Sequence, residues 1–106
     1  MGGVSVVAQR LKEARLRAGI SQKQLGVKAG IDDFSASARI NQYERGKHMP
    51  DLQTVTRLAA VLRVPPAYFY CDDSELAEVI VKFAALGKAP MATQNPPLVA
   101  TSNSST

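Results

Sequence analysis

The sequence predicts an all-α protein made of a small helical domain, a further helix and a polar tail. Apolar residues recur at spacings of three and four over most of residues 7–87, the period of amphipathic helices. Glycines and capping residues divide these segments, and none shows the strict alternation typical of a β-strand. We therefore expect residues 1–72 to form a five-helix domain, residues 73–87 a sixth helix and residues 88–106 a disordered tail.

The first two predicted helices are short and joined by a glycine turn. The first spans residues 7–18 and stops at Gly19, because glycine readily adopts the left-handed conformation that ends helices. Ser21 is a natural N-cap for the second, over residues 22–29, and Gly30 ends it. Leu25 and Ala29 form the buried face of this second helix.

The next helices follow the same signals. Asp32, Asp33 or Ser35 caps the third, which ends at Gly46. Asp51 caps the fourth, and "VPPAYFY" indicates a proline-initiated fifth helix with aromatic turns. The fourth helix has an apolar stripe of Leu52, Val55, Leu58, Ala59 and Leu62.

The sixth helix, "ELAEVIVKFAALG", begins after Asp73 or Ser74 and is strongly amphipathic. Its apolar face contains Leu76, Val79, Ile80 and Phe83. Ala77 and Val81 widen this face beyond what a lone surface helix needs. Two interpretations stay open: packing onto the aromatic fifth helix, or contact with a second copy of the chain. We expect part of this face to cover the fifth helix and part to contact a second copy. Residues 88–106, with three prolines and almost no charge, lack the apolar content to fold.

The distribution of charge indicates a polyanionic partner. Residues 1–70 carry 11 Lys and Arg against 5 Asp and Glu, whereas residues 71–106 carry 2 against 4. Residues 1–70 therefore carry a net charge of +6 and residues 71–106 one of −2, so the positive charge of the chain belongs to the helical domain. With one cysteine (Cys71) and one histidine (His48), the chain offers no disulfide, metal cluster or catalytic constellation. We expect a cytoplasmic protein that is not an enzyme and uses no cofactor or metal.

Several ordered motifs resemble the DNA-binding domain of phage-repressor/Cro-type (XRE-type) transcriptional regulators. They are "AGISQKQLG", "YERGK", "MPDLQTVTRLAAVL" and "VPPAYFY", and the resemblance covers roughly residues 7–70. It implies a lambda-repressor-like helix-turn-helix fold and a homodimer on a palindromic site in double-stranded DNA, with the third helix in the major groove. We expect a repressor. Two alternatives stay open: an antitoxin that binds a partner protein and represses its own promoter, or a restriction-modification controller protein.

The third helix is the expected recognition helix. If Ile40 points inward, Tyr43 and Glu44 share its face, and the opposite side is polar. Such side chains suit base edges in the major groove. The expected base-reading residues are Ser35, Ser37, Ala38, Arg39, Asn41 and Gln42. The expected phosphate contacts are Gln22, Lys23, Arg45 and Lys47.

The resemblance also implies a structural ion pair between Arg15 in the first helix and Glu44 at the end of the third. One departure from the family concerns "DDFSASAR", which places about four extra residues before Ile40, close to one helical turn. We expect Asp32 and Asp33 in the turn, Phe34 packed inward and the helix starting near Ser35. An N-terminal extension of the helix is the alternative.

Overall fold

The computed structural model describes residues 5–86, which are helical and contain no strand. This confirms the all-α prediction. The elements are α1 (Val6–Ala18), α2 (Gln22–Lys28), α3 (Asp33–Glu44), α4 (Leu52–Leu62), a 3₁₀ helix (Pro66–Tyr70) and α5 (Ser74–Ala85). The predicted fifth helix is therefore a single 3₁₀ segment. The tail predicted for residues 88–106 lies outside the described residues.

A side chain caps the N-terminus of every α-helix. Ser5, Ser21, Asp32, Asp51 and Asp73 each accept a hydrogen bond from a backbone N–H of the following turn. At α2 the cap is reciprocal, since the Gln24 side chain accepts from the Ser21 N–H at 2.8 Å. These bonds satisfy donors that a helix leaves free, so they fix where each helix begins.

The core lies between α1, α2, α3, α4 and the 3₁₀ helix. Its largest side chains are essentially inaccessible to solvent: Leu11, Leu25, Ile40, Val55, Leu58, Tyr68 and Phe69. Tyr68 and Phe69 pack edge to face, with ring centroids 5.4 Å apart. The aromatic 3₁₀ segment thus closes the core beneath α1.

The expectation for Phe34 is wrong, and α3 begins at Asp33 instead of near Ser35. Asp32 is the cap, with its carboxylate accepting from the Phe34 N–H at 3.0 Å. Phe34 is therefore in the first turn, about 120° around the helix from Ile40 at ~100° per residue. Its side chain is 97% exposed. The extra residues extend the helix, and Ile31 is the turn residue that packs against the core.

Arg10 is a buried charge that no local pattern predicted. Its side chain is 3% exposed. Its Nε donates to the Cys71 carbonyl at 2.7 Å, and its Nη1 donates to Glu13 Oε1 at 2.8 Å. Arg10 therefore ties α1 to the linker between the 3₁₀ helix and α5.

Candidate nucleic-acid interface

A buried ion pair holds α3 against α1. Arg15 Nε donates to Glu44 Oε2 at 2.6 Å, and Arg15 Nη2 donates to Glu44 Oε1 at 3.1 Å. The Arg15 and Glu44 side chains are only 12% and 3% exposed. Arg15 Nη1 also donates to the Ile20 carbonyl at 3.0 Å, in the turn between α1 and α2. A two-point contact of this kind fixes the direction of both side chains.

Gln22 joins α2 to the same pair. Its Nε2 donates to Glu44 Oε1 at 3.1 Å and to Asn41 Oδ1 at 3.2 Å. We call Arg15, Gln22, Asn41 and Glu44 the polar brace. Because the polar brace takes residues from α1, α2 and α3, it sets the angle at which α3 is held. Both hydrogens of the Gln22 side-chain amide are donated within the protein. The phosphate contact expected of Gln22 stays a prediction, and its free donor for that contact is the backbone N–H at the start of α2.

Close packing of small residues holds α2 and α3 together beside the polar brace. Gly26 is buried in α2, and a Cβ built on it lies 2.7 Å from Ala36 Cβ and 3.0 Å from the Ala36 carbonyl oxygen. Ala36 is itself fully buried. Only glycine fits at residue 26 without moving α3.

The outer side of α3 is polar and accessible. Ser37, Ala38 and Arg39 are exposed, and Ser35, Asn41 and Gln42 are half-buried. Among these, Asn41 is held through its amide oxygen by Gln22. We call Ser35, Ser37, Ala38, Arg39, Asn41 and Gln42 the outer face of α3. It offers hydroxyl, amide, guanidinium and methyl groups, which suit the edges of bases.

Basic side chains flank this face. Lys23, in the first turn of α2, is 59% exposed, with Nζ 3.7 Å from Asp33 Oδ2. Arg45 and Lys47 are exposed where the chain leaves α3. Gly46 adopts φ 74°, and the Lys47 N–H donates to the Gln42 carbonyl at 2.9 Å, so this exit is a defined turn. His48 is exposed in the same loop.

The apolar face of α5 is divided between the core and solvent. Ala77 is buried, and Ile80 packs partly against the core. Leu76, Val79 and Phe83 are 51%, 58% and 46% exposed. An open groove lies beside them, lined by Pro65, Ala67, Val79, Ile80 and Phe83. Of the four residues predicted for packing or dimerisation, Ile80 alone is partly buried against the core, and the other three are exposed.

A second helix fixed beside a first, with a polar and basic outer side, defines a helix-turn-helix protein. A helix-turn-helix family model matches residues 11–69, and the chain belongs to this XRE-type family. The crystal structure of transcriptional regulator BswR is 59% identical, covers 74% of this chain and 77% of its own, and superposes with a TM-score of 0.70. A search of curated proteins finds no match. The family and this relative support a DNA-binding regulator of transcription.

Within residues 5–86, no group of three or more His, Cys, Asp or Glu side chains is placed to hold a metal ion. In that same part of the chain, no helix combines the length and apolar character needed to cross a membrane.

Proposed function

We propose that this protein is a repressor that binds a palindromic operator in double-stranded DNA as a homodimer, with α3 in the major groove. The observation that carries the proposal is the two-sided character of α3. Ile40, Tyr43 and Glu44 are buried on one side, and the outer face of α3 offers hydrogen-bonding groups on the other. A helix fixed on one side and polar on the other presents its groups to base edges at low entropic cost.

Each group has a distinct part in this proposal. Arg39 pairs with guanine, Gln42 and Asn41 bond to adenine, and the Ala38 methyl contacts a thymine methyl. Ser35 and Ser37 lie nearest the start of α3, the end that reaches deepest in helix-turn-helix complexes. The side chains of Lys23, Arg45 and Lys47 contact phosphates, as does the backbone N–H of Gln22 at the start of α2. These contacts set the register without reading sequence.

Dimerisation is the second part of the proposal, and the exposed apolar side chains of α5 support it. Leu76, Val79 and Phe83 lie beside the apolar groove that begins at Pro65. A single domain of this size contacts few base pairs, so two copies across a twofold axis supply both affinity and specificity. The α5 faces of two copies packed together would cover these side chains.

Selection of bound duplexes from a random library, followed by footprinting, tests the proposal. We expect enrichment of an inverted repeat with half-sites about one helical turn apart. Arg39→Ala should relax the preference at one base pair per half-site and cost about 1–3 kcal/mol there. Arg17→Ala removes the same charge from α1, far in sequence from α3, and should leave the preference unchanged. Binding without enrichment at physiological salt would refute a sequence-specific repressor, because contacts to phosphate alone are sequence-blind.

A further inference from the structure

Phe34 is the most exposed large apolar residue in the described part of the chain. Its side chain is 97% exposed, whereas Leu86, the next, is 71% exposed. Burial of a phenylalanine side chain stabilises a protein substantially, so its placement in water at the start of a well-capped helix is an unused source of binding energy.

Its neighbours place Phe34 on the side of α3 that carries the outer face. Ala38 is one turn further along α3, and Ser37 is three residues away, the spacings at which helical side chains lie next to each other. Both are exposed. Side chains in a helix lean towards its N-terminus, so the ring extends beyond the first turn of α3. The Phe34 ring and the Ala38 methyl group form one small apolar strip.

The two carboxylates near this strip each have a partner within the protein. Asp32 caps the Phe34 N–H at 3.0 Å, and Asp33 lies 3.7 Å from the Lys23 ammonium group. Their charges are therefore partly offset, which reduces their repulsion of DNA phosphates in the proposed complex. In the major groove, an apolar side chain finds one apolar group on the base edges, the C5-methyl of thymine.

We propose that Phe34, together with Ala38, reads a thymine C5-methyl group in each half-site of the operator, which makes Phe34 a specificity-determining residue. This inference rests on the proposed placement of α3 in the major groove. It explains why an extra helical turn ends in an aromatic side chain that the fold leaves uncovered.

Replacement of thymine by uracil tests this, because uracil lacks only the C5-methyl and still pairs with adenine. Each thymine of the selected operator is replaced in turn, symmetrically in both half-sites, and affinity is measured by fluorescence anisotropy. At one position we expect the wild type to lose about fourfold in affinity per half-site, the value of one buried methyl-sized group. Phe34→Ala should keep only the smaller part of the difference that the Ala38 methyl supplies, and Phe34→Leu should retain more of it.

Leu16→Ala is the matched control, since it removes a 59% exposed apolar side chain from α1 and should keep the full effect of uracil. Phe34→Ala should also unfold at the wild-type temperature, because its ring is exposed. The inference is overturned if uracil has no effect at any position, or if Phe34→Ala keeps the wild-type ratio. It is equally overturned if Phe34→Ala lowers the affinity for both duplexes by the same factor, lowers the unfolding temperature or changes the oligomeric state of the protein without DNA.

The two proposals fail in different ways. Selection without any enriched sequence removes the proposed function and this inference together. An enriched inverted repeat whose thymines all tolerate uracil removes the role of Phe34 and leaves the sequence-specific repressor in place.

Discussion

The α2–α3 region and α5 are joined to the rest of the protein in opposite ways. α2 and α3 are fixed by the polar brace and by the close approach of Gly26 to Ala36. α5 contacts the 3₁₀ helix, with Ala77 buried and Ile80 and Val81 packed partly against the core. It leaves Leu76, Val79 and Phe83 about half exposed. The α2–α3 region is thus held together within one chain, whereas α5 leaves apolar side chains exposed, which a second copy covers under the dimer proposal.

Two ion pairs make the same contrast. Arg15–Glu44 and Arg17–Glu78 start from the same helix and have closest distances of 2.6 Å and 2.7 Å. The Arg15 and Glu44 side chains are 12% and 3% exposed, but those of Arg17 and Glu78 are 42% and 55% exposed. Burial, not distance, distinguishes the two pairs, since a buried charge that loses its partner is poorly solvated.

The largest expected effect comes from Arg15→Ala. It leaves the Glu44 carboxylate buried without its cation, which should cost about 3–5 kcal/mol of unfolding free energy. Arg17→Ala breaks the exposed pair on the same helix and should cost about 0–1 kcal/mol. Chemical denaturation of both variants measures the difference. Equal costs would show that the polar brace contributes no more than a surface contact.

Gly26→Ala should have the next largest effect. The added methyl group meets Ala36 Cβ at 2.7 Å, so α3 must shift, at a cost of about 1–3 kcal/mol. Lys28→Ala, at an exposed position of the same helix, should stay within about 0.5 kcal/mol of wild type. Thermal unfolding and operator affinity are measured together. If Gly26→Ala has the melting temperature and operator affinity of the wild type, then α2 and α3 can move apart to admit a methyl group at no measurable cost.

Val79→Glu tests the region that we expect a second copy to cover. Val79 is 58% exposed in the single chain, so at concentrations where the protein is monomeric the change should leave the unfolding temperature nearly unaltered. It should raise the dimer dissociation constant by about tenfold or more, since each copy loses a buried valine and gains a charge at the interface.

Sedimentation equilibrium measures this constant, with Glu75→Ala at an exposed position of the same helix as the control. A wild-type protein that stays monomeric at high micromolar concentration would contradict the dimer. An unchanged dissociation constant for Val79→Glu would show that the dimer interface does not include Val79.

The smallest expected effect lies at the start of α4, which packs against both α2 and the 3₁₀ helix. The hydrogen bond from the Thr54 backbone N–H, at 2.8 Å, is the main cause that holds the pKa of Asp51 below its ordinary 3.8. Because the folded pKa is the lower one, the stabilisation is present above pH 3.8 and is lost as pH falls through the folded pKa.

Asp51→Asn keeps a capping oxygen but does not titrate. Its melting temperature should therefore approach that of wild type as pH falls, over about pH 5 to 2. A constant difference between the two proteins over that range would show that the Asp51 charge plays no part at the cap.

Local sequence signals were sufficient to predict most helices and their caps. Ser21 and Asp51 were predicted as caps and are caps, because a cap and its helix are adjacent in the chain. The expectation that Phe34 packs inward was wrong because the direction of its side chain depends on the residue at which α3 begins. That point was ambiguous among three neighbouring capping residues, and the structure selects Asp32.

Contacts between distant residues were beyond local patterns. Gln22 and Asn41 are 19 positions apart, and Arg10 and Cys71 are 61 apart. No spacing rule connects such residues. The Arg15–Glu44 pair was expected only because the family resemblance supplied the register between α1 and α3.

The sequence by itself determined the all-α class, the basic character of the helical domain and the family, since periodicity, charge and ordered motifs are properties of the chain. The tertiary structure alone decided which polar groups are used internally and which remain accessible. In the folded protein Glu44 and the side-chain amide of Gln22 are hydrogen-bonded within the polar brace, whereas Phe34 and Val79 are exposed to solvent. The physical reason is that burial depends on which helices meet, and that is set only when the whole core packs.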